Sequence, residues 1–386
     1  MGKISLLIGA VGLVFCASGN IAKADKPYVY GQWLPPKHNV NLWGLKPLVK
    51  DLAAKGIHWK LVTGGQLFKA KGTLKGVGNR TAEAGLVVPS YHRTQLKHAF
   101  VVSDLLMIGR NELIMNGAAH ETMMLQCPEC MGDYARQNLI YLAGYGVGGY
   151  SMLCRKMVTK ASDIKGLKIR TTGALGRWAR KLGGVPVSMS MSDTPEAIKR
   201  GNIDCIAGPV AWLKSYPISD SIKSILNYGL GSYSGLGLFV MNRKAWDSYT
   251  DAQKRIMWDA MPGTIARTVI DGYVGDDIIS RELAKKEGIT ITKTGAAMEA
   301  IWKEHKKGEV ALAVKNATKM KAKNAQRIAD TFVKNVKKWE GIIADAGLEN
   351  AIANATPDRA SLAEASAIYK GLMIKHIYSK IDPTKL

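Results

Sequence analysis

DIKGLKIRTTGALGRWARKLGG, residues 163–184, contains a short strand, a glycine turn and a helix in direct succession. Its apolar pattern predicts a strand over residues 167–171 and a helix over residues 174–182, separated by Thr172 and Gly173. Arg170 lies at the end of the strand, close to the free N–H groups at the start of the helix. Because a guanidinium and a helix N-terminus both attract negative charge, this junction predicts an anion-binding position.

The same alternation of strands and helices continues on both sides of this stretch. It is typical of βαβ units and of a mostly parallel sheet. From about residue 295 the pattern is helical almost to the end, and 386 residues are enough for two α/β domains. Further strands are predicted over residues 28–33, 57–63, 84–88, 150–156, 186–189, 203–207 and 236–242.

The first 24 residues have the layout of a secretory signal peptide. Lys3 precedes an apolar run over residues 4–17, and the Ala-Lys-Ala of residues 22–24 is a small-residue cleavage site. The run is too short for a comfortable membrane span. The bulky Phe15 before Cys16 argues against a lipid-attachment site. No later segment is apolar enough to cross a bilayer, so the sequence predicts an exported protein without stable membrane insertion.

The formal net charge is +23. A balance this basic raises the hypotheses of a nucleic-acid ligand and of a membrane surface. We expect no nucleic acid as the partner of an exported protein. The densest basic group has a helical pattern, and we interpret it as a solvated helix face; docking of a partner and attraction of acidic solutes stay open. That group comprises Lys315, Lys319, Lys321, Lys323, Arg327, Lys334, Lys337 and Lys338.

Removal of the signal peptide leaves Cys127, Cys130, Cys154 and Cys205. Four cysteines in an oxidising compartment are compatible with two disulfides, and three pairings are open. The C-x-x-C of residues 127–130 also matches redox proteins and half of a zinc site. A zinc site needs two further ligands, and only His120 is near; the thioredoxin-like βαβ context of a redox pair is not found. A structural disulfide or unpaired thiols are therefore favoured.

The glycine run GYGVGG, residues 144–149, matches the G-x-G-x-x-G pattern of dinucleotide-binding proteins. That pattern requires a helix immediately afterwards, because the pyrophosphate binds at the helix N-terminus. Here the next segment, residues 150–154, has the pattern of a strand. We therefore interpret the run as a hinge between two domains.

Motifs of the common enzyme classes are missing from the sequence, which has no H-E-x-x-H, no G-x-S-x-G and no G-x-x-x-x-G-K-[ST]. His38, His92 and His120 are interpreted as turn or core residues rather than metal ligands. Carboxylate pairs occur only in surface-like patterns. The sequence predicts neither catalysis nor a cofactor nor a metal site.

Four segments resemble the solute-binding proteins of TRAP transporters. They are DIKGLKIR at residues 163–170, GNID at 201–204, LFVMNRKAW at 238–246 and the GQL turn at 65–67. They occur in the family's order behind a signal peptide and cover roughly residues 28 to 260. The segment after about residue 295 matches only in being helical.

The resemblance implies a two-lobe α/β periplasmic binding protein, or flytrap, with a hinge, crossing segments and a long linking helix. The first lobe would comprise residues 25–147 and about 232–285. The second would comprise residues 148–231 and about 286–386, including a helical C-terminal extension. Family members bind organic acids in the periplasm and deliver them to membrane permease subunits. They are receptors and not enzymes.

The family's GLKIR-type strand ends in an arginine that binds the ligand carboxylate, which places this role on Arg170. Two positions depart from the family. Ser151 stands where many members have a second arginine, and Gly208 stands where they tend to have an asparagine. Unless Arg155 or Arg177 substitutes, the site has one cation fewer, which favours a monocarboxylate with an apolar or aromatic body over a dicarboxylate.

Aromatic residues near the expected cleft are further candidates for ligand contact. Trp33 ends the first strand, and Trp212 follows the turn after residue 209. Tyr91 and Tyr233 lie at other loop ends or crossings, and Gln66 lies in the early turn. Core packing is the alternative role for each of them.

Three other classes of protein compete with this interpretation. The first is a solute-binding protein of an ABC transporter. The second is an exported thiol/disulfide redox protein or enzyme built around Cys127 and Cys130. The third is a basic adhesin or nucleic-acid binder, whose affinity would fall steeply with salt.

Overall fold

The computed structural model describes residues 27–293 and 295–386, so the predicted signal peptide lies outside the described residues. The strands of this part of the chain form two mixed sheets. They are β1 (Tyr28–Gly31), β2 (Trp59–Val62), β3 (Ala84–Val87), β4 (Leu139–Tyr145), β5 (Tyr150–Cys154), β6 (Lys168–Thr171), β7 (Val185–Ser188), β8 (Cys205–Pro209), β9 (Ser224–Asn227), β10 (Leu236–Asn242) and β11 (Thr290–Lys293).

The first sheet has the strand order β2-β1-β3-β10-β4 and the second has the order β11-β9-β5-β8-β6-β7. In each sheet, one strand arrives from the other sheet and runs antiparallel to both of its neighbours. These strands are β10 in the first sheet and β5 in the second. The prediction of a mostly parallel sheet was therefore incomplete, because it ignored strands that cross between lobes. All residues of β3, β4, β5, β8 and β10 are buried.

Helices cover both sheets. They are α1 (Lys46–Ala53), α2 (Thr73–Gly78), α3 (Lys97–Asp104), α4 (Glu112–Leu125), α5 (Pro128–Ala135), α6 (Ala174–Lys181), α7 (Thr194–Lys199), α8 (Trp212–Ser215), α9 (Arg243–Asp247), α10 (Asp251–Ala266), α11 (Gly275–Lys286), α12 (Ala296–Lys319), α13 (Ala325–Asp345), α14 (Leu348–Ala353) and α15 (Ala360–His376).

Two glycine-containing segments connect the sheets. The run of residues 144–149 leads from β4 to β5, as expected for a hinge, and residues 228–235 lead back from β9 to β10. The two segments are bonded to each other, since the Val147 N–H donates to the Tyr233 carbonyl at 2.9 Å and the Tyr150 N–H donates to the Gly231 carbonyl at 2.9 Å. Gly231 has a φ of +134° and lies against the Leu106 carbonyl, so only glycine fits there.

A third connection is a continuous helical rod over residues 251–286. It begins at α10, where Thr250 and Gln253 form a capping box. It continues through a π-helical segment, Arg267–Val274, into α11. The rod packs on β4 of the first sheet at one end and on β11 of the second sheet at the other. This is the long linking helix that the resemblance implied, and the two-lobe α/β fold is confirmed.

The C-terminal helices pack mainly on the first sheet's side of the molecule. α13 packs along α4 and α3, and α15 packs along α10. α12 contacts α3 and also α6, which follows β6 of the second sheet. The predicted lobe boundaries stay a prediction, and this packing favours grouping α13 and α15 with the first lobe rather than with the second.

The four cysteines form two buried disulfides, one of the three pairings left open by the sequence. Cys127 pairs with Cys130 at the start of α5. Cys154 pairs with Cys205, which is its direct neighbour across β5 and β8. A disulfide thus ties together the centre of the second sheet, and the C-x-x-C pair is buried rather than presented at the surface.

Candidate ligand-binding site

Arg170 is buried at the end of β6, with only 2% of its surface exposed. Its Nε donates to the Met189 carbonyl at 3.2 Å, and its Nη2 donates to the Tyr91 hydroxyl at 3.0 Å. Among the described residues, no carboxylate oxygen lies within 4.0 Å of the Arg170 guanidinium, the distance limit for an ion pair. A buried guanidinium without a carboxylate is costly unless an anion can reach it.

Tyr91 connects the two lobes at this point. It lies in a short 3₁₀ turn, Pro89–Tyr91, after β3 of the first sheet. Its hydroxyl oxygen accepts hydrogen bonds from Arg170 and, at 3.0 Å, from the Met191 N–H, both of the second lobe. Because both lone pairs are used, the hydroxyl proton is free to be donated to a third group.

Arg170 and Tyr91 line a cavity between the sheets, and half of the sixteen residues that line it are aromatic. Arg170 is the one charged side chain among the described residues that line it. Four polar atoms of the cavity wall are buried and make no hydrogen bond of ordinary geometry with described residues. They are Trp33 Nε1, Trp212 Nε1, Tyr233 Oη and Ser90 Oγ. The aromatic wall comprises Trp33, Tyr91, Tyr145, Tyr150, Trp212, Tyr216, Tyr233 and Tyr273.

Four tyrosines of this wall, Tyr145, Tyr150, Tyr216 and Tyr273, are neutral hydrogen-bond donors. Burial raises the pKa of Tyr145, Tyr216 and Tyr273 well above the ordinary value. Burial also raises the pKa of Tyr150, and the charge of Arg170 offsets only part of that effect. These hydroxyls therefore stay protonated at neutral pH, and the positive charge of Arg170 is left uncompensated.

Trp212 forms the wall opposite the guanidinium, and Gly208 makes room for it. The Arg170 Cζ lies 5.6 Å from the Trp212 ring centroid, within range of a cation–π interaction. The ring also meets Tyr150 and Tyr216 edge-on, each at 5.7 Å. A Cβ at position 208 would lie 2.2 Å from two ring carbons of Trp212. Position 208 holds a glycine where the family tends to have an asparagine. With no side chain at this position, the indole of Trp212 occupies the space that an asparagine amide would take.

The cavity is narrow in this conformation. The centre of a water molecule can move through only about 30 Å³ of it. That is room for one or two water molecules. A larger organic acid can enter only if the lobes separate or the aromatic wall moves.

The structure separates the predicted site residues into two groups. Trp33, Tyr91, Arg170, Trp212 and Tyr233 line the cavity, and Gly208 lies directly beneath Trp212. The other two predicted residues are placed elsewhere. Gln66 is exposed in the turn after β2. Ser151 is buried but faces away, with its hydroxyl donating to Asn227 Oδ1 at 3.1 Å.

Neither arginine considered as a substitute reaches the cavity. Arg155 lies against Gly201. Arg177 is held in a buried ionic cluster, where it contacts Asp104 at 2.8 Å and Glu309 at 2.6 Å. Its charge is already compensated, so it offers nothing to a ligand.

Sequence reasoning missed several residues of the cavity wall, above all Tyr145, Tyr150, Tyr216 and Tyr273. Tyr145 and Tyr150 flank the glycine hinge, and this position was the available signal. Neighbouring side chains point to opposite faces of a strand. Tyr150 therefore faces the cavity, and the next residue, Ser151, faces away from it. Tyr216 and Tyr273 give no local signal, since their approach depends on how helices pack.

The fold and the site together define a solute-binding protein of the flytrap class. The defining features are two α/β lobes, glycine-containing crossings, a linking helix and a buried arginine in the cleft. The chain belongs to bacterial extracellular solute-binding protein family 7, whose family model matches residues 44–316. It is therefore a solute receptor by family, and the predicted relationship to TRAP receptors is confirmed.

Solved structures share the fold at low sequence identity. A TRAP solute binding protein from Rhodoferax ferrireducens T118, in complex with copurified benzoate, has a TM-score of 0.71 at 17% identity, covering 82% of this chain and 99% of that chain. A marine metagenome protein specific for aromatic acid ligands, in complex with metahydroxyphenylacetate, has a TM-score of 0.71 at 19% identity, with 81% and 98% covered. A Bordetella bronchiseptica TRAP solute binding protein with bound (R)- and (S)-mandelate has a TM-score of 0.67 at 19% identity, covering 81% of this chain and 99% of that chain.

Within residues 27–293 and 295–386, no helix combines the length and the apolar character that a membrane crossing requires. Nor does this part of the chain bring together three or more His, Cys, Asp or Glu side chains in an arrangement able to hold a metal ion.

Proposed function

We propose that this protein is the periplasmic receptor of a TRAP transporter for a monocarboxylic acid with an aromatic or apolar body. The observation that carries the proposal is Arg170, a buried cation without a carboxylate partner among the described residues, set in an aromatic cavity. The predicted signal peptide places the receptor outside the cytoplasm. Its role is to bind and deliver, without catalysis, and its membrane partner is the permease.

The ligand carboxylate is held by the guanidinium and by Tyr91. A planar guanidinium matches a carboxylate with two parallel hydrogen bonds, and charge-assisted bonds are the strong ones. The free proton of the Tyr91 hydroxyl supplies a further donor. The body of the acid then lies against Trp33, Trp212 and Tyr150, whose polar atoms admit a hydroxyl or carbonyl substituent.

One cation in the cavity discriminates between acids. A second carboxylate would enter an aromatic wall that offers no second positive charge, and burying an unpaired charge is costly. Three fold relatives contain benzoate, metahydroxyphenylacetate and mandelate, each a monocarboxylate that contains an aromatic ring. Their ligands agree with the chemistry of this cavity and support the choice of an aromatic body.

Ligand binding and lobe closure are coupled in this proposal. Tyr91 belongs to the first lobe and Arg170 to the second, so an acid bound to both favours the closed form. The open form exposes Arg170 to solvent and admits the ligand. The permease then recognises the closed receptor.

The experiment is a calorimetric titration of benzoate, mandelate and succinate into the wild-type protein, Arg170→Ala and Arg155→Ala. Loss of a buried charged partner costs roughly 2–5 kcal/mol, so Arg170→Ala should weaken binding of the aromatic acids about 30- to 5000-fold. Arg155→Ala removes the same charge outside the cavity and should bind as the wild type does. Succinate should bind weakly to all three proteins.

Wild-type affinity in Arg170→Ala would remove this arginine from the site and refute the proposal. Tight binding of succinate would refute the monocarboxylate specificity alone. Delivery is tested separately, by measuring uptake of the acid into vesicles that contain the permease, with and without the receptor. Uptake that does not depend on the receptor would contradict the transport role.

A further inference from the structure

The hairpin of α12 and α13 carries a dense positive charge that the ligand cavity does not use. Residues 315–338 contain eight basic residues and a single acid, Asp330. Arg327 pairs with Glu129 at 2.6 Å, and Lys338 pairs with Glu121 at 2.6 Å. The remaining six, called here the basic surface, are exposed and have no carboxylate within 4.0 Å in the described part of the chain: Lys315, Lys319, Lys321, Lys323, Lys334 and Lys337.

The basic surface lies on a fixed scaffold. The Lys323 N–H donates to His98 Nε2 at 3.0 Å, and His98 Nδ1 donates to Asp133 at 2.8 Å, which anchors the turn between the two helices. Phe332 and Trp339 of α13 are buried against the body of the protein. The turn that carries Lys321 and Lys323 is therefore held against the body of the protein, and the other four lysines lie on the two helices that flank it.

Exposed apolar side chains lie among these lysines. Leu312 is 38% exposed. It lies three residues before Lys315 and seven before Lys319, and residues at this spacing share one face of a helix, here α12. Val333 is 39% exposed and precedes Lys334 on α13. Helices that combine basic and apolar residues on an exposed face are suited to the interface of an anionic membrane.

The composition of the basic surface favours lipid over a specific protein partner. Protein interfaces are enriched in aromatic residues, Met and Arg, and depleted in Lys. Here Arg327 is already bound to Glu129, and the two large aromatic side chains of α13 are buried. Lysines on flexible stems need no matching pocket and suit the diffuse negative charge of anionic headgroups.

We propose that the basic surface holds this protein reversibly on an anionic phospholipid surface. The attachment is peripheral and electrostatic, and it is independent of what the cavity binds. A receptor held in this way searches for a membrane-embedded partner along a surface instead of through the whole compartment.

The test is co-sedimentation of the purified full-length exported protein with vesicles, in low and high salt. One set of vesicles contains phosphatidylglycerol and phosphatidylcholine in equal parts, and the other contains phosphatidylcholine alone. The patch variant is Lys319→Gln, Lys323→Gln and Lys334→Gln. The matched control, Lys50→Gln, Lys55→Gln and Lys60→Gln, removes the same charge from exposed lysines of α1, of the turn after it and of β2.

The wild-type protein should bind the anionic vesicles and not the neutral ones, with affinity falling steeply as salt rises. Each lysine near an anionic surface contributes about fivefold, so the patch variant should bind on the order of 100-fold more weakly. The control should stay within a fewfold of the wild type. Both variants should keep the wild-type circular dichroism.

Equal weakening of patch variant and control would show that net charge alone is responsible, and would overturn the proposal. Absence of wild-type binding to anionic vesicles at low salt would do the same. Binding to native membranes but not to protein-free vesicles would identify an acidic membrane protein as the partner instead of lipid.

Discussion

Replacing Gly208 by alanine tests how the cavity wall is built. The new Cβ would lie 2.2 Å from two ring carbons of Trp212, about 1.2 Å closer than an ordinary contact. Position 208 is fixed by its pairing with Ser151 in the centre of the second sheet, so the indole has to move. Overpacking of this kind costs about 1–3 kcal/mol of folding free energy.

Displacement of Trp212 should also weaken ligand binding. The ring carries the cation–π contact with Arg170 and the edge-on contacts with Tyr150 and Tyr216, which together shape one wall of the cavity. We expect the tryptophan fluorescence to change and the affinity for benzoate to fall at least tenfold, the equivalent of about 1.4 kcal/mol.

The assay is urea unfolding followed by benzoate titration, with Gly308→Ala as control. Gly308 lies inside α12 with no atom near its added Cβ, so alanine there should stabilise the protein by about 0.5–1 kcal/mol. Wild-type stability, fluorescence and affinity in Gly208→Ala would refute the argument that this glycine makes room for Trp212.

Two further predictions concern buried polar groups. Arg177→Ala should lower the unfolding free energy by about 3–5 kcal/mol in urea, because it leaves Asp104 and Glu309 buried without their cation; a loss below about 1 kcal/mol would contradict it. Burial lowers the pKa of the folded protein's His120 to about 4. As the pH drops from about 6.5 to about 4, this imidazole is protonated in the unfolded chain before it is protonated in the folded protein, so the free energy of unfolding falls. The stability gap between wild type and His120→Gln should therefore narrow from pH 7 to pH 5, and a constant gap would exclude His120 as a source of acid sensitivity.

Much of the fold follows from local patterns in the sequence. The predicted strand over residues 236–242 matches β10, and the predicted helix after Arg170 extends one residue beyond α6. β9 and β11 were not among the predicted strands. The direction of β5 and β10 depends on crossings between lobes, which no local pattern encodes.

The candidate site was harder to predict than the fold. Arg170 follows from a strand, a glycine turn and a helix, all of them local features. Ser151 was assigned to the site through family spacing, and the structure turns its hydroxyl to Asn227 on the other face of β5. One residue decides which face a side chain occupies, so spacing alone could not distinguish Ser151 from Tyr150.

The π-helical segment Arg267–Val274 gives the linking rod a joint of its own. A π-helix has wider turns than the α-helices on either side, and such segments are frequent at functional sites. Returning even one turn to α geometry rotates α11 about its axis relative to α10. Movement of the lobes would then be a screw motion, with twist along the rod added to bending at the glycines. Two distance labels across the cleft would measure only the bending, and a third label beyond the rod is needed to detect the twist.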